Sequence, residues 1–331
     1  MRWKRGDGMS ETMTTTSVLS SRDRRDHVLA RLGYRRMEHR VTPGLYRLGR
    51  PDRSSPVFVS ANYTLSFDAL RSALHGIDAH ILVLDTKGIN VWCAAGKGTF
   101  GTDELVERIE ATSLKDHVDH RRLILPQLGG PGVAAHEVKA RTGFSVEYGP
   151  VRADDIPAYL DAGATEEMRR VTFPFRDRAV LVPVELRNIS LGAVAAFALM
   201  LFLGGIVPAL IVLTAVLAGA ALFPLMLPWL PTKDFTSKGV VLGAVVAAPF
   251  ALYYLLSVPG WTGLAYAAGT VLLMVPVVGY LALNFTGCST YASRTGVREE
   301  IFRYIPALVA MAVIGLASII VTILGSILGW F

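Results

Sequence analysis

The chain has 331 residues, 52% of them hydrophobic, with a mean hydropathy of +0.41 and a formal net charge of +6. That is too apolar for one ordinary soluble domain, so a membrane part is required. Its two cysteines, Cys93 and Cys288, exclude a disulfide framework and an iron–sulfur cluster held by four cysteines of this sequence. Basic residues beside membrane spans explain the net charge through topology and lipid headgroups, so nucleic acid is not an expected partner.

The charges are segregated. Residues 1–187 hold 28 of the 33 Lys and Arg and 24 of the 27 acids, which divides the chain into a basic, partly disordered segment (1–42), a soluble domain (43–175), a linker (176–188) and a membrane domain (189–331). In the first segment Arg22, Arg24, Arg25, Arg31, Arg35, Arg36 and Arg40 accumulate, and the first twenty residues show no apolar periodicity, which predicts disorder at the start. Val28, Leu29, Leu32 and Tyr34 fit two readings: a short basic amphipathic helix on a membrane surface, or a solvated helix packed on the next domain.

From Pro56 the pattern alternates. Strands are predicted at 57–60, 80–85, 122–125 and 144–147, and helices at 66–74, 102–109 and 133–140, with Thr102 as an N-cap and Asp103 and Glu104 in its first turn. Short apolar strands alternating with helices predict a Rossmann-like α/β domain with a parallel sheet. Ligands then bind at the carboxyl ends of the strands, where Asn62, Tyr63 and Thr64, residues 86–93 and residues 126–132 lie.

Residues 88–98 carry the strongest local signal. As a helix they set Asn90, Cys93 and Lys97 on one face. Ala94, Ala95 and Gly96 remove bulk beside the thiol, so that a wide, flat group can approach the backbone, and Lys97 brings a positive charge one turn beyond. Most free cysteines are small buried hydrophobes, but a capping segment with such neighbours describes inert core poorly. The G-x-G-x-x-G run Gly96–Gly98–Gly101 does not follow a strand directly, as a dinucleotide fingerprint would; it reads as the exit from the cap and the start of the next helix. Asp78 and His80 come close to D-x-H-x-x-G, yet Val83 replaces the glycine and His80 enters a strand, so His80 reads as structural. Asp116-His117 and Asp119-His120 fit a solvated connection better than a metal site. Gly129, Gly130 and Gly132 mark either a turn or a point of backbone access to a ligand.

Charge is absent from 188–232 and from 239–293. Each stretch is about twice the ~20 residues needed to cross once, giving spans near 189–204, 206–230, 239–257 and 261–285, with a fifth near 304–329. Arg176, Arg178 and Arg187, then Lys233 and Lys238, then Arg294, Arg298 and Arg303 all fall on the side of the soluble domain. By the positive-inside rule this predicts a multi-pass protein of the inner membrane, with the soluble domain in the cytoplasm and the C-terminus outside.

The unbroken run Asn90-Val91-Trp92-Cys93-Ala94-Ala95-Gly96-Lys97 resembles the cap-helix signature of the HgcA family, membrane-anchored corrinoid proteins of microbial mercury methylation. That family is related to the large subunit of the corrinoid iron–sulfur protein of acetyl-CoA synthesis. Residues 59–70, 84–88, 284–287 and 293–297 are similar to it as well. The resemblance implies a cobalamin-type corrinoid with Cys93 as the lower axial ligand of its cobalt. Cofactor contacts would come from Asn62, Tyr63, Thr64, Asn90, Val91, Trp92, Ala94, Ala95, Gly96, Lys97, Gly129, Gly130 and Gly132, with Asn90 and Lys97 orienting the cap or polarising the sulfur. It further implies a methyltransferase acting from methyl-Co(III) corrinoid on Hg(II), reloaded from a methyltetrahydrofolate pathway and reduced by a ferredoxin-like partner with two iron–sulfur clusters. Cys288 receives no catalytic role, although its thiol could bind mercury. Three alternatives stand beside this reading: a membrane-bound corrinoid methyl carrier of one-carbon or acetyl-CoA metabolism, a non-catalytic corrinoid module, and an enzyme with Cys93 as covalent nucleophile. For the last, no His or Asp stands at a suggestive spacing.

The five-span arrangement is checked with a reporter active only in the periplasm. It should be silent when fused near Lys233 or Arg298 and active near Pro259 or after Phe331. Activity at Arg298 would refute the arrangement.

Overall fold

The computed structural model describes residues 12–288 and 294–329; Ser293 of the distal similar segment and the C-terminal Phe331 lie outside the described residues. Two compact units result, 1–171 and 172–331.

The first unit is built on one six-stranded sheet. In chain order its elements are β1 (Met13–Thr15), α1 (Ser21–Arg31), β2 (Gly44–Leu48), β3 (Val57–Ala61), α2 (Thr64–Ala73), β4 (Ala79–Leu84), α3 (Val91–Lys97), α4 (Thr102–Ala111), β5 (Arg122–Leu125), α5 (Ala135–Thr142), β6 (Ser145–Tyr148), α6 (Ile156–Ala162) and α7 (Glu166–Arg169). The strand order is β1-β2-β4-β3-β5-β6. β4, β3, β5 and β6 are mutually parallel, with Val57 opposite His80 and Ala61 opposite Leu84. The expected parallel core is therefore present, but the sheet is mixed: β2 runs antiparallel to β4, and β1 pairs with β2.

The strands read as continuous apolar runs because both faces are covered. Val57, Val59, Ala61, Leu82 and Leu84 pack with Leu105, Val106 and Ile109 of α4 and Val138 of α5. On the other face Phe58, Ile81 and Val83 pack with Phe67 and Leu70 of α2 and with Ile156 and Tyr159 of α6. Thr102 is the first helical residue of α4, not its N-cap: Gly101 caps the helix, and the Thr102 hydroxyl accepts the Ala134 N–H at 2.9 Å, tying α4 to the segment entering α5. His80 lies buried near the amino end of β4, where desolvation holds it below its usual pKa and its Nε2 sits 3.2 Å from the Asp52 carbonyl.

The segment around α1 is ordered on the domain by polar contacts. Ser20 and Asp23 form a capping box. Arg71 of α2, buried, donates through Nε to Asp68 (2.6 Å), through Nη2 to Asp23 (2.9 Å) and through Nη1 to the Thr16 carbonyl (2.6 Å). His27 reaches the other oxygen of the buried Asp68 at 2.7 Å, and His39 reaches Asp26 at 2.8 Å.

The second unit is all-helical. α8 (Phe175–Gly204), α9 (Ile206–Leu217), α10 (Phe223–Met226), α11 (Phe235–Ser257), α12 (Gly260–Phe285) and α13 (Arg294–Ile327) give five candidate membrane spans, since α9 and α10 are joined through a π-helical turn at Ala218–Leu222. Residues 176–188 are not a linker between elements: α8 runs through them, Pro183 included. α12 is the most enclosed of the five. Small residues let its neighbours approach: a Cβ on Gly239 would stand 2.4 Å from that of Ala282, and one on Gly243 would stand 2.9 Å from Cα of Val275.

Arg71→Ala should leave the buried Asp68 carboxylate with His27 as its remaining side-chain partner and cost about 3 kcal/mol, with trypsin cutting within 22–36 before the sheet yields. Acid should act at the same place. Burial raises the Asp23 carboxyl, but the hydrogen bonds from Ser20 and Arg71 outweigh it and hold the group below its usual value. Its stabilisation is thus present above an ordinary carboxylate pKa of about 4 and is lost as the pH falls through the lower folded value. Proteolysis across that range reads both effects.

Candidate functional site

The carboxyl ends of β3, β4 and β5 converge on α3. In a doubly wound sheet ligands bind where successive connections leave in opposite directions, here between β3 and β5. The chain leaving β4 crosses to that point, and α3 packs on the turn at Gln127–Gly132 that follows β5 and on the end of β3. The crevice is thereby roofed by protein.

Asn62 holds the approach to α3. It is fully buried, and its backbone N–H donates to the Leu84 carbonyl at 3.1 Å. Its Oδ1 accepts the N–H groups of Thr86 (3.1 Å) and Gly88 (2.9 Å), and its Nδ2 donates to Asp85 Oδ1 (3.0 Å). Asp85 Oδ1 also accepts the Lys87 N–H, and Glu104 of α4 accepts the Asp85 N–H at 2.7 Å. These contacts fix a loop in which Lys87 (φ 59°) and Gly88 (φ 75°) both occupy the left-handed region. The Thr86 hydroxyl donates to the Ile89 carbonyl at 2.7 Å, leading the chain into α3.

α3 itself has two fixed ends. Asn90 is the N-cap, with its side-chain oxygen accepting the Cys93 N–H at 2.9 Å, and Gly98 is the left-handed C-cap at φ 80°. Ala94 and Ala95 point into the core, and Val91 packs beside them. Cys93 and Trp92 are half-buried, while Gly96 and Lys97 are exposed. Nothing lies within 4 Å of a Cβ placed on Gly96 or Gly98, so the outer surface next to the thiol is bare. Cys93 is a free cysteine.

The glycines after β5 serve packing. A Cβ on Gly132 would stand 2.1 Å from the Phe100 carbonyl oxygen and 3.0 Å from Cα of Ala95, and one on Gly129 would stand 2.6 Å from the buried Phe100 ring. Both are needed for α3 to sit this close. Gly130 meets only Tyr148, at 3.8 Å, and is the one of the three with room beside it. Gly98 and Gly101 are a helix C-cap and a helix N-cap, as the failed dinucleotide fingerprint implied.

Of the predicted site residues, the structure thus brings Asn90 through Lys97 together with Gly129, Gly130 and Gly132. Asn62 adjoins them, with its Oδ1 and one Nδ2 proton hydrogen-bonded to the loop. Tyr63 and Thr64 start α2; the Tyr63 phenol is half-buried, and burial pushes it above its usual pKa. Asp85, Glu104 and Phe100, not anticipated from sequence, position the cap from behind. Asp116 and Asp119 lie in a polar connection, where Arg53 pairs with Asp119 at 2.7 Å. Among the described residues no three His, Cys, Asp or Glu side chains form a metal-holding group.

Geometry therefore defines a doubly wound α/β domain whose switch point is covered by a thiol-bearing helix. Residues 30–160 match the family of the CO dehydrogenase/acetyl-CoA synthase delta subunit. Over 123 residues the chain is 37% identical to the acetyl-CoA decarbonylase/synthase complex subunit gamma of Methanopyrus kandleri, covering 37% of this chain and 26% of that protein. Over 128 residues it is 34% identical to the same subunit of Methanothermobacter thermautotrophicus, covering 38% and 28%. It is also 26% identical over 160 residues to the corrinoid/iron–sulfur protein large subunit of Moorella thermoacetica, covering 46% and 35%. The chain thus spans about a quarter to a third of the length of these relatives, and the family match ends before the long apolar helices.

Asn62→Ala should remove the acceptor of two N–H groups and cost about 3 kcal/mol. The cost should be local: hydrogen exchange should rise across residues 86–97 while the amides of β3 and β4 stay protected. Equal loosening of sheet and loop would show that Asn62 does not act on the cap.

Proposed function

We propose that the chain is a membrane-anchored corrinoid-dependent methyltransferase that methylates Hg(II), with the Cys93 thiolate as the lower ligand of the corrinoid cobalt. One observation carries the reading: the described free thiol stands half-exposed on a short helix over the ligand-binding end of a sheet, within a segment similar to a protein named for its corrinoid. The residues suit such a cofactor. Thiolate is a competent soft donor to a transition metal, and the bare backbone at Gly96 and Gly98 leaves room for a broad ring. When bound, the corrinoid supplies a cobalt-carried methyl group, and transfer to Hg(II) requires that group to leave with electron density.

The chain's own contribution is to hold and tune. Asn90 fixes the backbone of Cys93 through its N–H, so the sulfur is presented at one height and direction. Asn62, Asp85 and Glu104 keep the loop behind it from moving, and Gly132 keeps α3 seated. The Cys93 thiolate would hold the group as an electron-rich donor to its metal. Lys97, exposed on the last turn, is available to the cofactor's polar periphery. With only two cysteines in the sequence, electrons for reloading come from a separate ferredoxin-like partner with two iron–sulfur clusters, and the methyl group from a methyltetrahydrofolate pathway.

A second reading is favoured by the relatives' names: a methyl carrier serving acetyl-CoA synthesis, in which the acceptor is not mercury. Both readings share the corrinoid and Cys93 and differ in the acceptor.

Cys93→Ala should keep the fold, shift the visible spectrum of the loaded protein and reduce methyl transfer to Hg(II) to background. Cys93→His should retain some corrinoid binding, since imidazole also ligates such metals, yet lose methylation. Identical spectra for the parent and Cys93→Ala would show that Cys93 is not the ligand. A parent that binds corrinoid through Cys93 but leaves Hg(II) unmethylated with reductant and partner present would favour the carrier.

A further inference from the structure

α1 is held to the domain through polar side chains, with Ala30 buried and Leu29 half-buried beside them. Its inward side carries Asp23, Asp26 and His27, bonded to Arg71, His39 and Asp68, whereas Val28 (54% exposed) points outward, followed by Leu32, Tyr34 and Met37 (56%). Interspersed with them are the exposed Arg22, Arg24, Arg25, Arg31, Arg35 and Arg36. The three acids of the segment are engaged: Asp23 by Arg71, Asp26 by His39 and Glu38 by Arg35. Among the described residues Arg22, Arg24, Arg25, Arg31 and Arg36 have no carboxylate partner, so the outer face is apolar and uniformly positive.

From this pairing of exposed apolar side chains with unpaired arginines we infer that residues 21–37 form a docking face for an anionic lipid surface. The apolar side chains enter the boundary between headgroups and acyl chains, and the arginines reach phosphates while their stems lie along it. Each basic residue near an anionic leaflet contributes on the order of 1 kcal/mol. The five long apolar helices carried by the same chain supply the occupant, because they bring a bilayer within reach of this domain without a separate encounter. Most of α1 precedes the segment shared with relatives, 30–160, and the five helices follow it. This inference rests on membrane insertion and is independent of the corrinoid.

The full chain carrying Val28→Trp is reconstituted in nanodiscs of phosphatidylcholine alone or mixed with phosphatidylglycerol. Quenching by brominated lipid is read against the unsubstituted chain. We expect added quenching in the anionic discs, little in the neutral ones, and its loss when Arg24, Arg25 and Arg31 are changed together to Glu. Arg24→Ala, Arg25→Ala and Arg31→Ala in combination should give an intermediate value, and unchanged amide exchange in β3 and β4 confirms that the domain is intact. Quenching that is equal in both lipids, or indifferent to the charge reversal, overturns the proposal. So does a blue-shifted, unquenched Trp, which would mean that protein and not lipid covers the face.

Discussion

The buried carboxamide of Asn62 is the point on which the rest of the site depends. A left-handed pair at Lys87 and Gly88 is costly for a lysine, and it persists because two N–H groups of that loop converge on one oxygen that cannot be solvated otherwise. Without this anchor the chain leaving β4 would have no reason to cross over β3. The position of the thiol is therefore set by hydrogen bonds one strand away, and only secondarily by α3, whose seven residues are too few to be stable alone.

Close packing completes what the hydrogen bonds begin. Ala94, Ala95, Gly129 and Gly132 are small on the hidden side of α3, and Gly96 and Gly98 are small on the open side. The two sets look alike in the sequence and do opposite things. Inside, missing side chains bring the helix down onto Phe100; outside, they keep the surface next to Cys93 flat. A thiol held this way is positioned by a rigid support and approached from one direction.

Much of this was legible in the sequence, and the gaps have physical causes. Apolar runs revealed β3, β4 and β5 because those strands are covered on both faces, and long uncharged stretches revealed the five long apolar helices. The cap was legible through its composition. β2 was not: its Gly-Leu-Tyr-Arg-Leu is buried on both faces except at Arg47, which interrupts a run already short. A helix near Val28 was legible, but its anchoring was not, because Arg71, Asp68 and the two histidines hold it, and hydrophobic periodicity does not register polar contacts. The α8 boundary was missed for a related reason, since Arg176 to Arg187 end an apolar stretch without ending a helix. The role of Asn62 in holding the loop could not be read, because a buried amide and an exposed one have the same letter.

The rim formed by β1 and β2 bears on how the domain behaves when separated from its neighbours. β4 would be a sheet edge with a row of open backbone groups if β2 did not pair with it, and β2 in turn is covered by β1 only along Tyr46 to Leu48. Such edges invite pairing with another chain. A version of the domain begun at residue 43, where composition alone suggests a boundary, would keep its core yet lose the short strand that closes the rim. Its exposed Tyr46–Leu48 backbone would then offer a template for strand exchange between copies, so the three residues of β1 guard the rim even though they contribute little to the apolar interior.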